Sequence, residues 1–461
     1  MSGSYRLFGA ETSAYSTKMR SYLRYKGVAF DWLPRTQDTE EELRTLSRFS
    51  TLPVLVTASG FAVHDTTPMM EALEADTPEP SATPADPTLA FLSCVLEEYA
   101  DAWLAKAAYH YRWTRKKDQR LAATRAVDDY YTREAPADRK GAEDAAITRM
   151  LDQMRSIGLE GEFGAAVEKS FKRFVKLLDD HLRKHLCIFG GRPSIADFAI
   201  AGQLIQMMKD PTPAKIIEKD GEFVVKWCEF LADAKPSGPF AAFDDLKETL
   251  APIFATELAA GFLPWAAENL ESSLAGKENF EITLGKDAFT LTPLCSAARS
   301  FRELRRKFVS GQEIEALKAF TDETATTVYL QRPPRPEGGR PEREPRRDNR
   351  NAPASDGEAA PDVDMEAADG AAAQAPREAA PREDGETGAR RKRRRRRRGG
   401  RGGNREEGAA GASSDDAAEG DDSEGEDDEV SAAASDGEDV PVGDGQVSGA
   451  PADSDEDATA H

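Results

Sequence analysis

Apolar and polar positions change their period several times within the first 75 residues. Residues 5–8, Tyr-Arg-Leu-Phe, form a short apolar-rich run ending at Gly9 and predict a strand. Residues 15–25 set Tyr15, Met19, Tyr22 and Leu23 along one helical face, and Gly27 follows as a stop. Residues 28–33 alternate and predict a second strand. Residues 38–49 place Leu43, Leu46 and Phe49 at helical spacing behind an acidic first turn. Residues 52–65 read as strand, tight turn, strand. A helix follows to Asp76, with Thr67 expected as its N-cap and Pro68 at the first position, where a missing N–H costs nothing. The order is β-α-β-α-β-β-α.

A proline-rich segment, 77–88, then separates this front module from a long helical stretch. Residues 89–113 read as one long amphipathic helix and residues 164–186 as another. Ser194-Ile195-Ala196-Asp197 opens a further helix. Ser194 can cap the N3 nitrogen while Asp197 answers back, a capping-box pattern. Residues 280–292 predict a hairpin, and 299–321 add helix. The expected organisation is an α/β module at 1–76, a linker at 77–88, an all-helical domain at 89–270, a hairpin-helix extension at 271–330 and a tail at 331–461.

Charge sharpens that last boundary. The chain has 461 residues and a net charge of -22. From Gln331 onward there are about 34 acidic and 20 basic residues and almost no large apolar side chains. Such a composition buries too little apolar area to offset chain entropy, so the tail is expected to be disordered. Residues 390–398 are nine consecutive cations, and Arg-Gly repeats extend the basic block from Arg390 to Arg405. A block of this kind suits phosphate contacts and base stacking, so RNA or another polyanion is a candidate partner. The acidic segment 413–461 competes for the same charges.

The four cysteines show no C-x-x-C spacing and no Cys/His cluster, which points to reduced thiols and no metal. The N-terminus lacks a signal-peptide pattern, and no run of about 18 apolar residues is evident. A cytoplasmic protein without membrane contact is expected.

Candidate chemistry gathers at three places in the front module. Ser13-Ala14-Tyr15-Ser16 puts hydroxyls at a helix N-terminus, where backbone N–H groups favour negative charge. Ser13 is equally able to serve as a simple helix cap. Pro53 sits awkwardly at a strand because it removes a ladder donor, as at an edge strand. Asp65-Thr66 precedes a helix that both residues can cap. Further on, Tyr109, Tyr111, Arg112 and Trp113 end a long helix, suited either to lining an apolar site or to packing between helices.

Taken in order, Ser13-Ala14-Tyr15-Ser16, Thr51-Leu52-Pro53, Asp65-Thr66 and Ser194-x-x-Asp197 resemble the pattern of glutathione S-transferases, over roughly residues 4–325. The resemblance implies a thioredoxin-like domain followed by the family's all-helical domain, a homodimer, and glutathione as co-substrate. It implies a Ser13 hydroxyl that holds the glutathione thiolate, with Ser16 and Tyr15 as rivals. It further implies a cis Leu52–Pro53 bond that presents Leu52 to the cysteinyl part, and Asp65-Thr66 as the seat of the γ-glutamyl group. Tyr109, Tyr111, Arg112 and Trp113 are then candidates for the electrophile site. The activity implied is transfer of the glutathione sulfur to a small electrophile. The alternative is a non-catalytic, dimeric interaction protein of the same fold whose arginine-rich tail binds nucleic acid.

Overall fold

A computed structural model describes residues 4–47, 51–159 and 161–331. The front module is β1 (Tyr5–Gly9), α1 (Ala14–Tyr25), β2 (Phe30–Pro34), α2 (Glu40–Leu46), β3 (Val54–Val56), β4 (Ala62–His64) and α3 (Thr66–Asp76). The sheet order is β2-β1-β3-β4; β1 runs parallel to β2 and antiparallel to β3. Strand alternation divides its apolar residues between two faces. Leu7 and Leu55 join Met19, Met69 and Met70, whereas Phe8, Val54 and Val56 pack with Leu43 and Leu52. This is the thioredoxin-like order expected.

The helices that follow are α4 (Pro87–Tyr99), α5 (Ala105–Thr114), α6 (Lys116–Tyr130), α7 (Arg139–Ser156), α8 (Gly161–Leu182), α9 (Ile195–Met207), α10 (Pro211–Asp220), α11 (Glu222–Ala232), α12 (Phe243–Ile253) and α13 (Leu263–Leu274). The extension holds the hairpin β5 (Phe280–Leu284) and β6 (Asp287–Leu291), then α14 (Cys295–Gly311), α15 (Glu315–Glu323) and α16 (Thr327–Leu330). Helix α1 docks on α9, where Phe198 meets Tyr22 at 5.7 Å and Tyr25 at 5.4 Å between ring centroids. Helix α14 lies on α4 through Phe91 and Phe308, 5.4 Å apart.

Several local expectations change. The N-cap of α3 is Asp65, not Thr67: the Asp65 carboxylate accepts the Thr67 N–H at 3.1 Å, and Pro68 falls at the third helical position. The N–H that proline lacks is one of the helix's unbonded ones, so its place still carries no penalty. The helix expected over 89–113 contains a π-helical stretch, Ala100–Leu104, between α4 and α5. The helix expected over 299–321 is two helices, α14 and α15. Helix α2 ends at Leu46, and Phe49 lies outside the described residues.

The capping box at α9 forms in full. Asp197 accepts the Ser194 N–H and hydroxyl at 2.9 and 2.6 Å, the Ile188 N–H at 2.9 Å and the Trp227 indole N–H at 3.1 Å. One apolar stretch, Phe243–Leu274, is long enough by length and composition to cross a membrane, yet Leu246, Leu250, Phe254, Leu258 and Phe262 on it are buried in the protein core. No disulfide links the cysteines: Cys187 and Cys228 are buried, Cys94 is half-buried and Cys295 is exposed. The basic block from Arg390 to Arg405 and the acidic segment 413–461 lie outside the described residues.

Candidate functional site

Sheet register brings the three front-module motifs to one end. Phe8 pairs with Val54, and Val54 pairs with His64. The next residue beyond this row on each strand is therefore Gly9, Pro53 and Asp65. Gly9 is required by close packing: a Cβ there would meet the Trp32 ring at 2.4 Å and the Ser16 hydroxyl at 2.7 Å. The Leu52–Pro53 bond is cis, and both residues are buried. Asp65 is exposed and holds φ 72°, a value rarely adopted by a residue with a side chain.

Ser13 caps α1. Its hydroxyl oxygen accepts the Ser16 N–H at 3.1 Å, and the Ser16 hydroxyl accepts the Ala10 N–H at 3.1 Å. Each hydroxyl keeps its own proton to donate. Both serines are buried, Ser13 fully. The Tyr15 hydroxyl donates to the Asp101 carbonyl at 2.7 Å, which ties it to the helical domain.

The loop before Ser13 is held from the helical side. Arg112 donates to the Thr12 carbonyl at 3.0 Å, to the Gln206 carbonyl at 3.1 Å and to Asp210 at 2.7 Å. Gln206 donates to the Glu11 carbonyl at 2.9 Å and to the Thr17 hydroxyl at 2.8 Å. Tyr109 and Arg112 line a narrow crevice of about 10 Å³ with Ala14 and Tyr15. Tyr111 and Trp113 do not reach it. Tyr111 is buried against Phe171, 5.4 Å between centroids, and Trp113 is buried as well. His110 pairs with Glu168 at 2.8 Å.

Two lysines escaped the sequence reading. Lys18, on α1, donates to Thr66 at 3.0 Å, Glu97 at 2.8 Å and Asp101 at 2.7 Å. Thr67 also donates to Glu97, at 2.9 Å. Burial alone would lower the Lys18 amine, but the two carboxylates outweigh it and the net shift is upward. Lys18 thereby welds α1 to the start of α3 and to α4. The available signal was its position, three residues from Tyr15 and four from Tyr22, on the buried face.

Lys106, on α5, is the opposite case. It is 1% exposed, its amine has no hydrogen-bond partner, and the Trp265 ring lies 4.1 Å away. Burial pulls this amine down to about 7. Its signal was a single cation in an otherwise apolar run from Ala102 to Ala108. Lys106 lines a cleft of about 80 Å³ together with Tyr15 and Asp65 of the front module, Glu98 and Asp101, and the start of α14. Among the described residues no cluster of three or more His, Cys, Asp or Glu side chains could hold a metal ion.

Comparison with known proteins agrees with this architecture. The profile of the glutathione S-transferase N-terminal domain matches residues 12–76, and that of the C-terminal domain matches 144–230. No curated protein matches the chain. Among solved structures, a GST-like protein from Pseudomonas syringae is 20% identical over 50% of this chain and 67% of its own, with a TM-score of 0.35. A glutathione S-transferase from Methylobacterium radiotolerans, solved with glutathione sulfonate, is 21% identical over 52% and 96%, with a TM-score of 0.33. A β-etherase from Sphingobium is 18% identical over 54% and 99%, with a TM-score of 0.36. Two domain profiles of the glutathione S-transferase family thus match in order, one on the front module and one within the helical domain.

Proposed function

We propose that the chain binds glutathione at the sheet end marked by Ser13, Leu52-Pro53 and Asp65-Thr66, and transfers its sulfur to a small electrophile. The observation that carries this reading is the register that sets Gly9, Pro53 and Asp65 side by side. The exposed Asp65 carboxylate suits the γ-glutamyl ammonium, and the N-terminus of α3 suits the neighbouring carboxylate. The N-terminus of α1 stabilises a thiolate, and the Ser13 hydroxyl proton strengthens it. A thiol with a pKa of about 8.5–9 must drop by roughly one to two units to ionise at neutral pH, at about 1.4 kcal/mol per unit. One charge-assisted hydrogen bond and a helix end are of that size. Arg112 and Gln206 keep the loop in place.

Calorimetry on the full chain tests this reading. Glutathione should bind, and Asp65→Ala with Thr66→Ala should weaken binding by about 1.5–3 kcal/mol per lost charge-assisted contact. Ser13→Ala should lower conjugation roughly 10- to 1000-fold, as loss of an oxyanion donor does. Absence of heat at millimolar glutathione overturns the reading. Full activity in Ser13→Ala with loss in Ser16→Ala moves the thiolate donor to Ser16.

A further inference from the structure

The cleft beside Lys106 has a chemistry of its own. An amine buried to this degree carries a large desolvation penalty as an ammonium unless an anion or several acceptors face it. Here the only described partner is the Trp265 ring. None of the carboxyls lining the cleft bonds the amine. Asp101 pairs with Lys18 through Oδ2 at 2.7 Å, while its Oδ1 accepts no hydrogen bond. Glu98 accepts the Ser300 hydroxyl, and burial pushes its carboxyl up to about 8, so it is largely uncharged at pH 7. Asp65 caps α3.

A second observation points the same way. The 17-residue helix α14 begins at the wall of this cleft, with Leu294, Ser296 and Ala297 among the lining residues. Its N-cap is Leu294, a side chain with no acceptor; the Asn269 side chain accepts the Leu294 N–H at 2.7 Å, just ahead of the first turn. A helix start of this kind concentrates partial positive charge at its first turn. Lys106, whose buried amine has no hydrogen-bond partner, and the first turn of α14 thus line one small cleft. Their common complement is an anion with oxygen acceptors.

We propose that this cleft is a small-carboxylate site, in which Lys106 and the N-terminus of α14 hold a carboxylate carried by the second substrate. The assignment of that carboxylate to the second substrate rests on the glutathione reading above; the anion site itself does not. A volume of about 80 Å³ admits a carboxylate and a few further atoms, not a large polyanion. Binding draws a proton to the Lys106 amine, because an ammonium facing a carboxylate is favoured where a lone ammonium is not. Tyr15 lines both this cleft and the crevice beside Ala14, which connects the anion site to the N-terminus of α1. The second substrate is thereby predicted to be an acid whose electrophilic carbon lies close to its carboxylate.

The test uses the full chain and benzoate as probe. Calorimetry at pH 7.5, in buffers of low and high ionisation enthalpy, should show binding with uptake of the larger part of a proton. The titratable groups lining the cleft with Lys106 are Tyr15, Asp65, Glu98 and Asp101; Glu98 also titrates near this pH, so the uptake assigned to Lys106 is the part lost in Lys106→Met. That variant keeps the bulk of the side chain without the charge and should bind benzoate at least tenfold more weakly, with glutathione binding unchanged. Ser296→Asp, which sets a competing carboxylate in the first turn of α14, should weaken benzoate similarly while leaving Lys106 in place. Unchanged benzoate affinity in both variants, or no benzoate binding to the unaltered chain, overturns the proposal. If benzoate binds through Lys106 but glutathione does not bind, the glutathione reading and the substrate assignment fall while the anion site stands. If glutathione and benzoate exclude each other, the site serves glutathione and the substrate assignment is wrong.

Discussion

Lys18 and Lys106 are each 1% exposed, both on helices at the junction of the front module and the helical domain. Their surroundings differ in one respect. Around Lys18 every donor direction is answered by Thr66, Glu97 and Asp101, drawn from α3, α4 and the π-helical stretch. Around Lys106 there is a ring and a cleft. The same desolvation acts on both amines; the partners alone reverse the outcome, up for one and down to about 7 for the other. A matched buried charge fixes the fold, whereas an unmatched one holds chemistry open for a ligand.

The largest expected effect comes from breaking the matched region. Lys18→Met removes the cation and leaves Glu97 and Asp101 buried without it. Breaking a buried pair by deleting one partner costs about 3–5 kcal/mol, readable as a lower denaturant midpoint. Replacing an ion cluster by apolar groups all at once is a different experiment and is often neutral. A loss below about 1 kcal/mol in Lys18→Met would erase the contrast between the two lysines.

The unmatched region should respond in the opposite sense. Lys106 has its folded pKa below its unfolded value. Between pH 7 and about 10 the unfolded chain therefore binds more protons at this site, and stability rises with pH. Lys106→Met lacks that rise. Relative to the variant, the unaltered chain should gain roughly 1–2 kcal/mol between pH 7 and 9, below the limit of about 1.4 kcal/mol per pH unit per proton. Glu98 works against it: its folded pKa is above its unfolded one, so its contribution is lost as pH rises through about 8. Glu98 is present in both proteins, and the difference between the two melting series isolates Lys106. Parallel pH profiles would show that the amine is charged in the folded state and has a partner.

This contrast explains what the sequence made legible. Periodicity located each element of the front module, because the alternating Leu7 and Phe8 of β1 and the buried face of α1 repeat at strand and helix spacing. The capping box at Ser194 and Asp197 was readable because both partners lie within one turn. The roles of Lys18 and Lys106 depend on side chains as far away in sequence as Asp101 and Trp265. Local pattern registers only a polar residue on an apolar face in both places. Tyr111 and Trp113 stand in the same aromatic run as Tyr109, yet helix rotation turns them into the core. Asp65 was legible as one of the residues able to cap α3, but its φ of 72° was not, because no glycine marks the position.

The smallest effect is expected at the rim, and it completes the comparison. Lys307 of α14 pairs with Glu71 of α3 at 2.7 Å, joining the extension to the front module. It is a cation with an acidic partner, like Lys18, but its side chain is 28% exposed and that of Glu71 is 54%. Water already solvates both charges, so the pair adds little beyond what each has alone. Pairs of this kind contribute about 0–1 kcal/mol. What holds α14 in place is apolar: Phe308 is 2% exposed and packs on Phe91, and truncating such a ring costs about 3–5 kcal/mol. Lys307→Ala should thus lower stability by less than about 1 kcal/mol, and the difference should fade as added salt shortens the screening length to roughly 3 Å at 1 M. The loss in Lys18→Met should largely persist in the same salt, because the Lys18 and Glu97 side chains are only 1% and 6% exposed. Equal salt sensitivity in the two variants would mean that solvent reaches Lys18, and the distinction between a matched buried amine and an exposed one would no longer account for either.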